Sequence, residues 1–91
     1  MKHYVYVLRS IPTGRYYIGK TSDPVRQLHE RNSKEGPFAS SFQPWELIVL
    51  EEFDDDSGAA QRQAFLKSRA GIQERKLLID RAQTARLAER P

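Results

Sequence analysis

Hydrophobic and polar positions at the start of the chain follow the two-residue period of a β-strand. Residues 3–9 alternate between two faces, both rich in aromatic and aliphatic side chains. Pro12 and Gly14 interrupt this pattern and residues 15–20 resume it, so we expect a β-hairpin. Gly19, inside the second run, indicates either a close approach to the backbone or the end of the strand.

A helix and a third strand are expected next. Asp23 as N-cap and Pro24 as first helical residue predict a helix over residues 24–32. A polar loop over residues 32–44 then leads to an apolar run at 45–53. This run predicts a third strand that is central in the sheet or well covered.

The remainder of the chain predicts two helices. Residues 55–57 provide a cap for a helix over roughly 57–69, and Gly71 is its expected C-cap. The expected buried face of this helix consists of Ala60, Ala64 and Phe65. Residues 72–90 predict a last helix whose end is frayed.

The predicted order of elements is β-β-α-β-α-α over a single domain, residues 1–91. A hairpin plus one further strand favours a small, mainly antiparallel three-stranded sheet flanked by helices, an α+β fold. The absence of cysteine excludes disulfides and thiolate metal sites. No apolar run typical of a signal peptide or a membrane span is present, so we expect a cytoplasmic protein with no membrane partner.

Charge is distributed unevenly along the chain. Residues 57–91 contain eight Lys/Arg and three Asp/Glu, residues 1–50 contain seven and four, and residues 51–56 contain five acidic residues. Two basic regions favour a polyanionic partner such as nucleic acid, although a solvated charged surface gives the same distribution. The acidic block resembles a metal site by composition but is better explained as a strand end that leads into a helix cap.

The tyrosines of the hairpin raise a question of chemistry, because they are either ordinary strand aromatics or hydroxyls directed at a substrate. In its hairpin and capped helix the chain resembles the GIY-YIG nuclease superfamily, in its compact single-domain branch. Val5–Tyr6 resembles the end of the first signature, and Tyr17–Ile18–Gly19 matches the second. The stretches "DPVR.LHE.N", "SSF.PWELI" and "FLKSRAG" extend the resemblance over nearly the whole chain.

The resemblance implies a metal-dependent endonuclease. In such a site Mg²⁺ or Mn²⁺ neutralises the phosphate, a carboxylate holds the ion, a tyrosine positions or deprotonates the attacking water, and an arginine stabilises developing charge. The resemblance assigns the tyrosine roles to Tyr6 and Tyr17 and implies that Lys20 lies near the phosphate. Tyr4 and Tyr16 are then structural.

Three site positions depart from the family pattern. Gln27 occupies the place of the catalytic arginine, and Gln63 occupies the place of the metal-binding glutamate, so metal binding is in doubt. Arg31 stands where the branch commonly has a histidine. Its four-residue spacing from Gln27 puts it on the same helical face, where its guanidinium can serve the same phosphate. Glu30 is an alternative metal ligand.

These observations support a nuclease-like protein that acts on DNA rather than RNA and is impaired in catalysis. The alternatives are a catalytically silent nucleic-acid-binding module and, third, a protein–protein adaptor on the same scaffold. The cations expected to contact nucleic acid are Lys20, Arg26, Arg31 and Lys67. The residues expected to converge on one face are Tyr6, Tyr17, Lys20, Gln27, Arg31 and Gln63.

Overall fold

The N-terminal hairpin supplies the centre of the sheet. Strand β1 (His3–Ser10) pairs antiparallel with β2 (Tyr16–Thr21) on one side and with β3 (Trp45–Phe53) on the other, which gives the order β2-β1-β3. Residues 5–8 of β1 are all buried, as expected of a strand that is covered on both faces. The antiparallel sheet with its helices confirms the predicted α+β class.

The computed structural model describes residues 1–35 and 40–89, with side chains through residue 86. Its helices are α1 (Pro24–Asn32), α2 (Asp56–Lys67) and α3 (Ile72–Glu89), with a short 3-10 turn (Arg69–Gly71) between the last two. Part of the expected loop, residues 36–39, and the expected frayed end at residues 90–91 lie outside the described residues. None of the described helices combines the length and apolar composition needed to cross a bilayer.

Of the two alternatives predicted for the third strand, the structure confirms a well-covered strand and not a central one, because β3 lies at one edge of the sheet. A β-bulge explains its continuous apolar run: Val7 pairs with Val49 but Leu8 pairs with Leu47, so Ile48 is an extra residue that breaks the alternation. Both α1 and α3 pack against β3. The run is therefore apolar because helices cover both faces of an edge strand, and not because strands flank it on both sides.

The hydrophobic core lies on one face of the sheet, beneath α2 and α3. It is formed by buried side chains from strands and helices: Val5, Val7, Ile18, Ala59, Leu66 and Ile79. The predicted buried face of α2 was wrong, because Ala59 and Leu66 are buried whereas Ala64 and Phe65 are exposed. The helix is thus rotated from the expected orientation.

Two predicted helix caps are confirmed and one is not. The carboxylates of Asp23 and Asp55 accept hydrogen bonds from the backbone N–H groups of Arg26 (3.1 Å) and Gly58 (2.7 Å), as N-caps do. In contrast, α2 ends at Lys67, and Gly71 closes the following 3-10 turn instead of capping α2.

Side chains of the acidic block, residues 51–56, form structural contacts. Asp54 pairs with Lys2, Asp55 caps α2, and the Glu51 carboxylate accepts two hydrogen bonds from the Arg62 guanidinium at 2.8 and 3.0 Å. Over the described residues, no group of three His, Cys, Asp or Glu side chains is arranged to hold a metal ion. The block therefore joins a strand to a helix, as expected.

The end of α1 is attached to the start of β3 through one side chain. The side-chain amide nitrogen of Asn32 donates to the main-chain carbonyl of Trp45 at 2.8 Å. The main-chain N–H of Trp45 donates to the side-chain oxygen Oδ1 of Asn32 at 2.6 Å. Both bonds are partly buried. Since α1 contributes no buried residue of its own, this pair of bonds is a main attachment of the helix to the sheet.

We predict that Asn32→Ala lowers the free energy of unfolding by about 2 kcal/mol, because two partly buried main-chain groups lose their partner. Asn32→Asp keeps the acceptor for the Trp45 N–H and should lose about half as much. Urea denaturation of the three proteins measures both effects. Equal stability of wild type and Asn32→Ala would show that α1 is held by other contacts.

Candidate functional site

Two tyrosines share the face of the sheet opposite the core. Tyr6 pairs directly with Gly19, and Tyr17 lies two residues before that glycine, so all three project to the same side. The ring centroids of Tyr6 and Tyr17 are 6.2 Å apart and the rings are inclined by 40°. The strand register, which follows from the hairpin turn, thus brings two hydroxyl-bearing rings together.

Gly19 makes this arrangement possible. A Cβ atom at this position would lie 2.3 Å from Cζ and the hydroxyl oxygen of Tyr6, and 2.9 Å from Cε1 of Tyr17. No side chain fits in that space unless a ring moves. The expectation of a close approach at Gly19 is confirmed, and the approaching group is the Tyr6 ring.

Two cations lie beside the Tyr17 ring. The guanidinium carbon of Arg31, from α1, is 3.8 Å from the ring centroid, and the ammonium nitrogen of Lys67, from α2, is 5.9 Å from it. Both distances are within the range of cation–π attraction. The ring therefore lies next to positive charge from two different helices, at the edge strand of the sheet.

The hydroxyl of Tyr6 is buried, and this changes its acidity. Burial raises the pKa of Tyr6 to about 12, and the nearby Tyr17 adds to the rise, while Arg31 and a side-chain hydrogen bond with Gln27 oppose it. The Tyr6 hydroxyl is therefore protonated near neutral pH, as an ordinary tyrosine is, and stays protonated to higher pH. The same interactions show that Gln27 and Arg31 both lie beside Tyr6.

Gln63 belongs to the same side of α2 as Lys67. The two residues are four apart in the helix, so they are neighbours on its surface, and Lys67 lies near Tyr17. Gln63 is half-buried. The residues beside the two tyrosines are therefore Gln27, Arg31 and Lys67, a set with two cations and no carboxylate, and Gln63 lies one helical turn before Lys67 on α2.

The support of Arg31 was not anticipated from the sequence. The Gln43 amide donates to the Arg31 carbonyl at 2.8 Å and to the Ser33 carbonyl at 3.0 Å. Together with Asn32, the Gln43 side chain fixes the last turn of α1 and therefore the backbone position from which the Arg31 side chain extends. The one available signal was the polar composition of the loop that contains Gln43, which does not identify a partner.

Two expected members of the site do not join it. Lys20 pairs with Val5 in the sheet and so faces the core side, where its ammonium lies 2.6 Å from the Asp56 carboxylate. Strand alternation makes this unavoidable, because Lys20 directly follows Gly19. Arg26 is largely exposed and pairs with Glu30 at 3.0 Å, one helical turn away, so neither of these two side chains turns towards the tyrosines.

The other aromatic residues have separate partners. The Tyr4 hydroxyl donates to the Glu52 carboxylate at 3.5 Å, and the Tyr16 hydroxyl accepts from the Gln83 amide at 3.0 Å. Trp45 is half-buried and stacks on Phe42, with ring centroids 6.1 Å apart. Of the four tyrosines, Tyr6 and Tyr17 are the pair that forms a common cluster.

Comparison with known proteins places this geometry in a family context. The GIY-YIG catalytic domain matches residues 2–75 of the chain. UPF0213 protein NP_0776A of Natronomonas pharaonis is 35% identical over 79 residues, which cover 86% of this chain and 92% of that protein. The structure-specific endonuclease subunit SLX1 of Meyerozyma guilliermondii is 42% identical over 52 residues, which cover 50% of this chain but only 18% of the SLX1 subunit.

A solved structure has the same fold. The solution NMR structure of the UPF0213 protein BH0048 from Bacillus halodurans superposes with a TM-score of 0.53 at 26% sequence identity. The alignment covers 88% of this chain and 84% of that one. The sheet order and helices described above are therefore those of a compact protein of this type.

The raised pKa of Tyr6 predicts a pH-dependent loss of stability. Between about pH 10, where an unfolded tyrosine ionises, and about pH 12, the unfolded state releases a proton that the folded state retains. The stability of wild type should therefore fall relative to Tyr6→Phe as the pH rises through this range. Denaturant unfolding of both proteins at several pH values measures it. A stability difference that stays constant with pH would contradict the buried, protonated Tyr6.

Proposed function

Because the chain belongs to the GIY-YIG family, we propose that it binds the phosphodiester backbone of nucleic acid, DNA in preference to RNA, with its hydrolytic step impaired. The observation that carries this proposal is the placement of Arg31 and Lys67 on the Tyr17 ring, beside Tyr6. Cations from two helices meet there at a tyrosine ring that lies next to a second tyrosine. That combination suits a phosphate, which accepts both charge-assisted and neutral hydrogen bonds.

The proposed contacts have separate chemical tasks. The Arg31 guanidinium offers a planar fork to two phosphoryl oxygens, and Lys67 adds a point charge. Tyr6, which keeps its proton, donates a hydrogen bond. Tyr17 holds the cations against its ring, and its hydroxyl lies within hydrogen-bonding reach of the Tyr6 hydroxyl. These groups bind and orient a phosphate without any further component.

A resident divalent metal ion does not fit the residues present. Mg²⁺ prefers charged, hard oxygen ligands, whereas the position that holds a glutamate in the family carries the neutral carboxamide of Gln63. Lys67, its neighbour one turn later, adds positive charge beside any bound cation. The described residues also contain no metal-binding group of three His, Cys, Asp or Glu. We therefore derive no step of the reaction through Mg²⁺ or Mn²⁺.

Gln27 weakens the charge stabilisation that an arginine provides at this position in the family. It has no cationic fork for the phosphoryl oxygens, and the loss of one such stabilising donor is typically worth about 3–4 kcal/mol in the transition state. Arg31, one turn further along the same face, keeps positive charge near the same oxygens but arrives from a different direction. Binding is thus better preserved than catalysis, and in the limiting case the chain is a silent binding module.

We predict salt-dependent binding to a DNA duplex or a branched junction. Counterion release gives a slope of log Kd against log salt of about 3 to 5, at about 0.9 per phosphate contact. Arg31→Gln and Lys67→Gln should each reduce this slope by about 0.9, and Arg81→Gln, on exposed α3 surface, should leave it nearly unchanged. Fluorescence anisotropy at several salt concentrations measures the slopes. Failure of the wild type to bind even at low salt would favour the protein–protein adaptor instead.

The impaired hydrolytic step predicts that activity can be restored. Gln63→Glu returns a charged oxygen ligand and Gln27→Arg returns a cationic donor, so the double variant should nick supercoiled plasmid at least about 100-fold faster than wild type with Mg²⁺ or Mn²⁺. The effects should not add, because both groups act on one transition state. Gln63→Glu alone should recover some metal dependence, and Gln27→Arg alone should do little.

Tyr17→Phe in the double variant is the control, and it should remove the restored activity. Robust metal-dependent nicking by the unmodified chain, abolished by Tyr17→Phe, would show that catalysis is intact. A double variant that is inactive on every DNA tested would show that the positions carried over from the family pattern are wrong or incomplete.

A further inference from the structure

A second basic groove lies on the opposite face of the same edge strand. It has a volume of about 400 Å³ and is lined by Arg15, Tyr16, Ile18 and Arg75. Successive residues of a strand project to opposite faces, so Tyr16 and Tyr17 place one aromatic ring on each side of β2. The groove is therefore separate from the Tyr6–Tyr17 site but adjoins it across the free edge of the sheet.

The two arginines of this groove differ in their partners from the arginines that form ion pairs. Within residues 1–35 and 40–86, neither Arg15 nor Arg75 forms an ion pair with a carboxylate, whereas Arg9, Arg26 and Arg62 each do. No acidic residue lines the groove. Two guanidinium groups thus face an open space without a neutralising partner among the described residues, which makes the groove attractive to an anion.

The groove is held in place by contacts that leave donors available. Nη1 of Arg75 donates to the Leu66 carbonyl at 3.0 Å, and a guanidinium has four further N–H groups. The Gln83 amide donates to the Tyr16 hydroxyl at 3.0 Å and so ties the ring to α3. Tyr16 remains 40% exposed, and its ring is available for stacking.

We propose that this groove binds the nucleic-acid backbone next to the phosphate held at the Tyr6–Tyr17 site, so that one polyanion crosses the β2 edge and contacts both faces. This inference rests on the proposed function and extends it to a second contact region. The occupant is nucleic acid because the groove combines two fork-shaped phosphate donors with an exposed aromatic ring, and because it continues from a site already rich in positive charge.

The test measures DNA binding of Arg15→Gln by anisotropy over a range of salt concentrations. We expect the slope of log Kd against log salt to fall by about 0.9 relative to wild type, and the affinity at low salt to fall about three- to fivefold. Arg15→Lys should recover most of the slope, since it keeps the charge. Arg81→Gln is the matched control, because it removes one exposed positive charge from α3 on the side away from Gln83.

A second measurement needs no variant of Arg75, whose bond to Leu66 also supports the fold. In an NMR titration of the wild type with the same DNA, the side-chain N–H signals of Arg15 and Arg75 should shift together with those of Arg31. If the Arg31 signal shifts while both groove signals stay unchanged, and Arg15→Gln binds like Arg81→Gln, the second contact region is refuted and the proposed function stands. If the wild type binds no DNA at all, the proposed function fails, and this inference fails with it.

Discussion

The contact between the Tyr6 ring and the backbone of Gly19 is the constraint on which the site depends. The ring occupies the space that a Cβ at position 19 would fill. Because Tyr6 lies on the central strand and Gly19 on the edge strand, the contact directs the Tyr6 hydroxyl towards the sheet edge, where Tyr17 and α1 meet it. Burial by this packing also raises the pKa of the hydroxyl to about 12.

The second constraint is the attachment of α1. This helix buries no residue of its own, so its position relies on polar contacts at its C-terminal end. Asn32 bonds to the main chain of Trp45, and Gln43 bonds to the carbonyls of Arg31 and Ser33. A guanidinium held 3.8 Å from the Tyr17 ring is thus positioned by two amide side chains, one of them 12 residues away in sequence.

Local patterns predicted the elements well because they depend on near neighbours. Alternation identified the hairpin, and the Asp23 and Asp55 caps are confirmed where the sequence placed them. The sequence left a central and a well-covered β3 both open, because an extra residue at Ile48 and cover from two helices produce the same apolar run as a central strand. No local rule distinguishes these two origins.

The candidate site, like the fold, was predicted correctly in some residues and not in others. The family resemblance, together with the regular strand register and helical repeat, predicted that Tyr6, Tyr17, Gln27 and Arg31 lie together, and the structure places them so. The prediction for Lys20 was wrong because it rested on the position of Lys20 directly after the matched Tyr17–Ile18–Gly19 signature. Strand alternation turns Lys20 to the core side instead. The hydrogen bonds from Gln43 to the end of α1 could not be predicted, since they depend on a loop conformation that composition does not determine.

The distribution of ion pairs explains why a modest net charge is compatible with a polyanion partner. The formal net charge is only +3, but carboxylates of the acidic block are matched to Lys2, Lys20 and Arg62. The cations beside the Tyr17 ring, Arg31 and Lys67, are not among these three. Acidic side chains thereby cap α2 and form ion pairs, whereas Arg31 and Lys67 keep positive charge beside Tyr17 on the edge strand. Since unlike charges that are already paired contribute little to a distant field, the local potential at β2 is more positive than the total suggests.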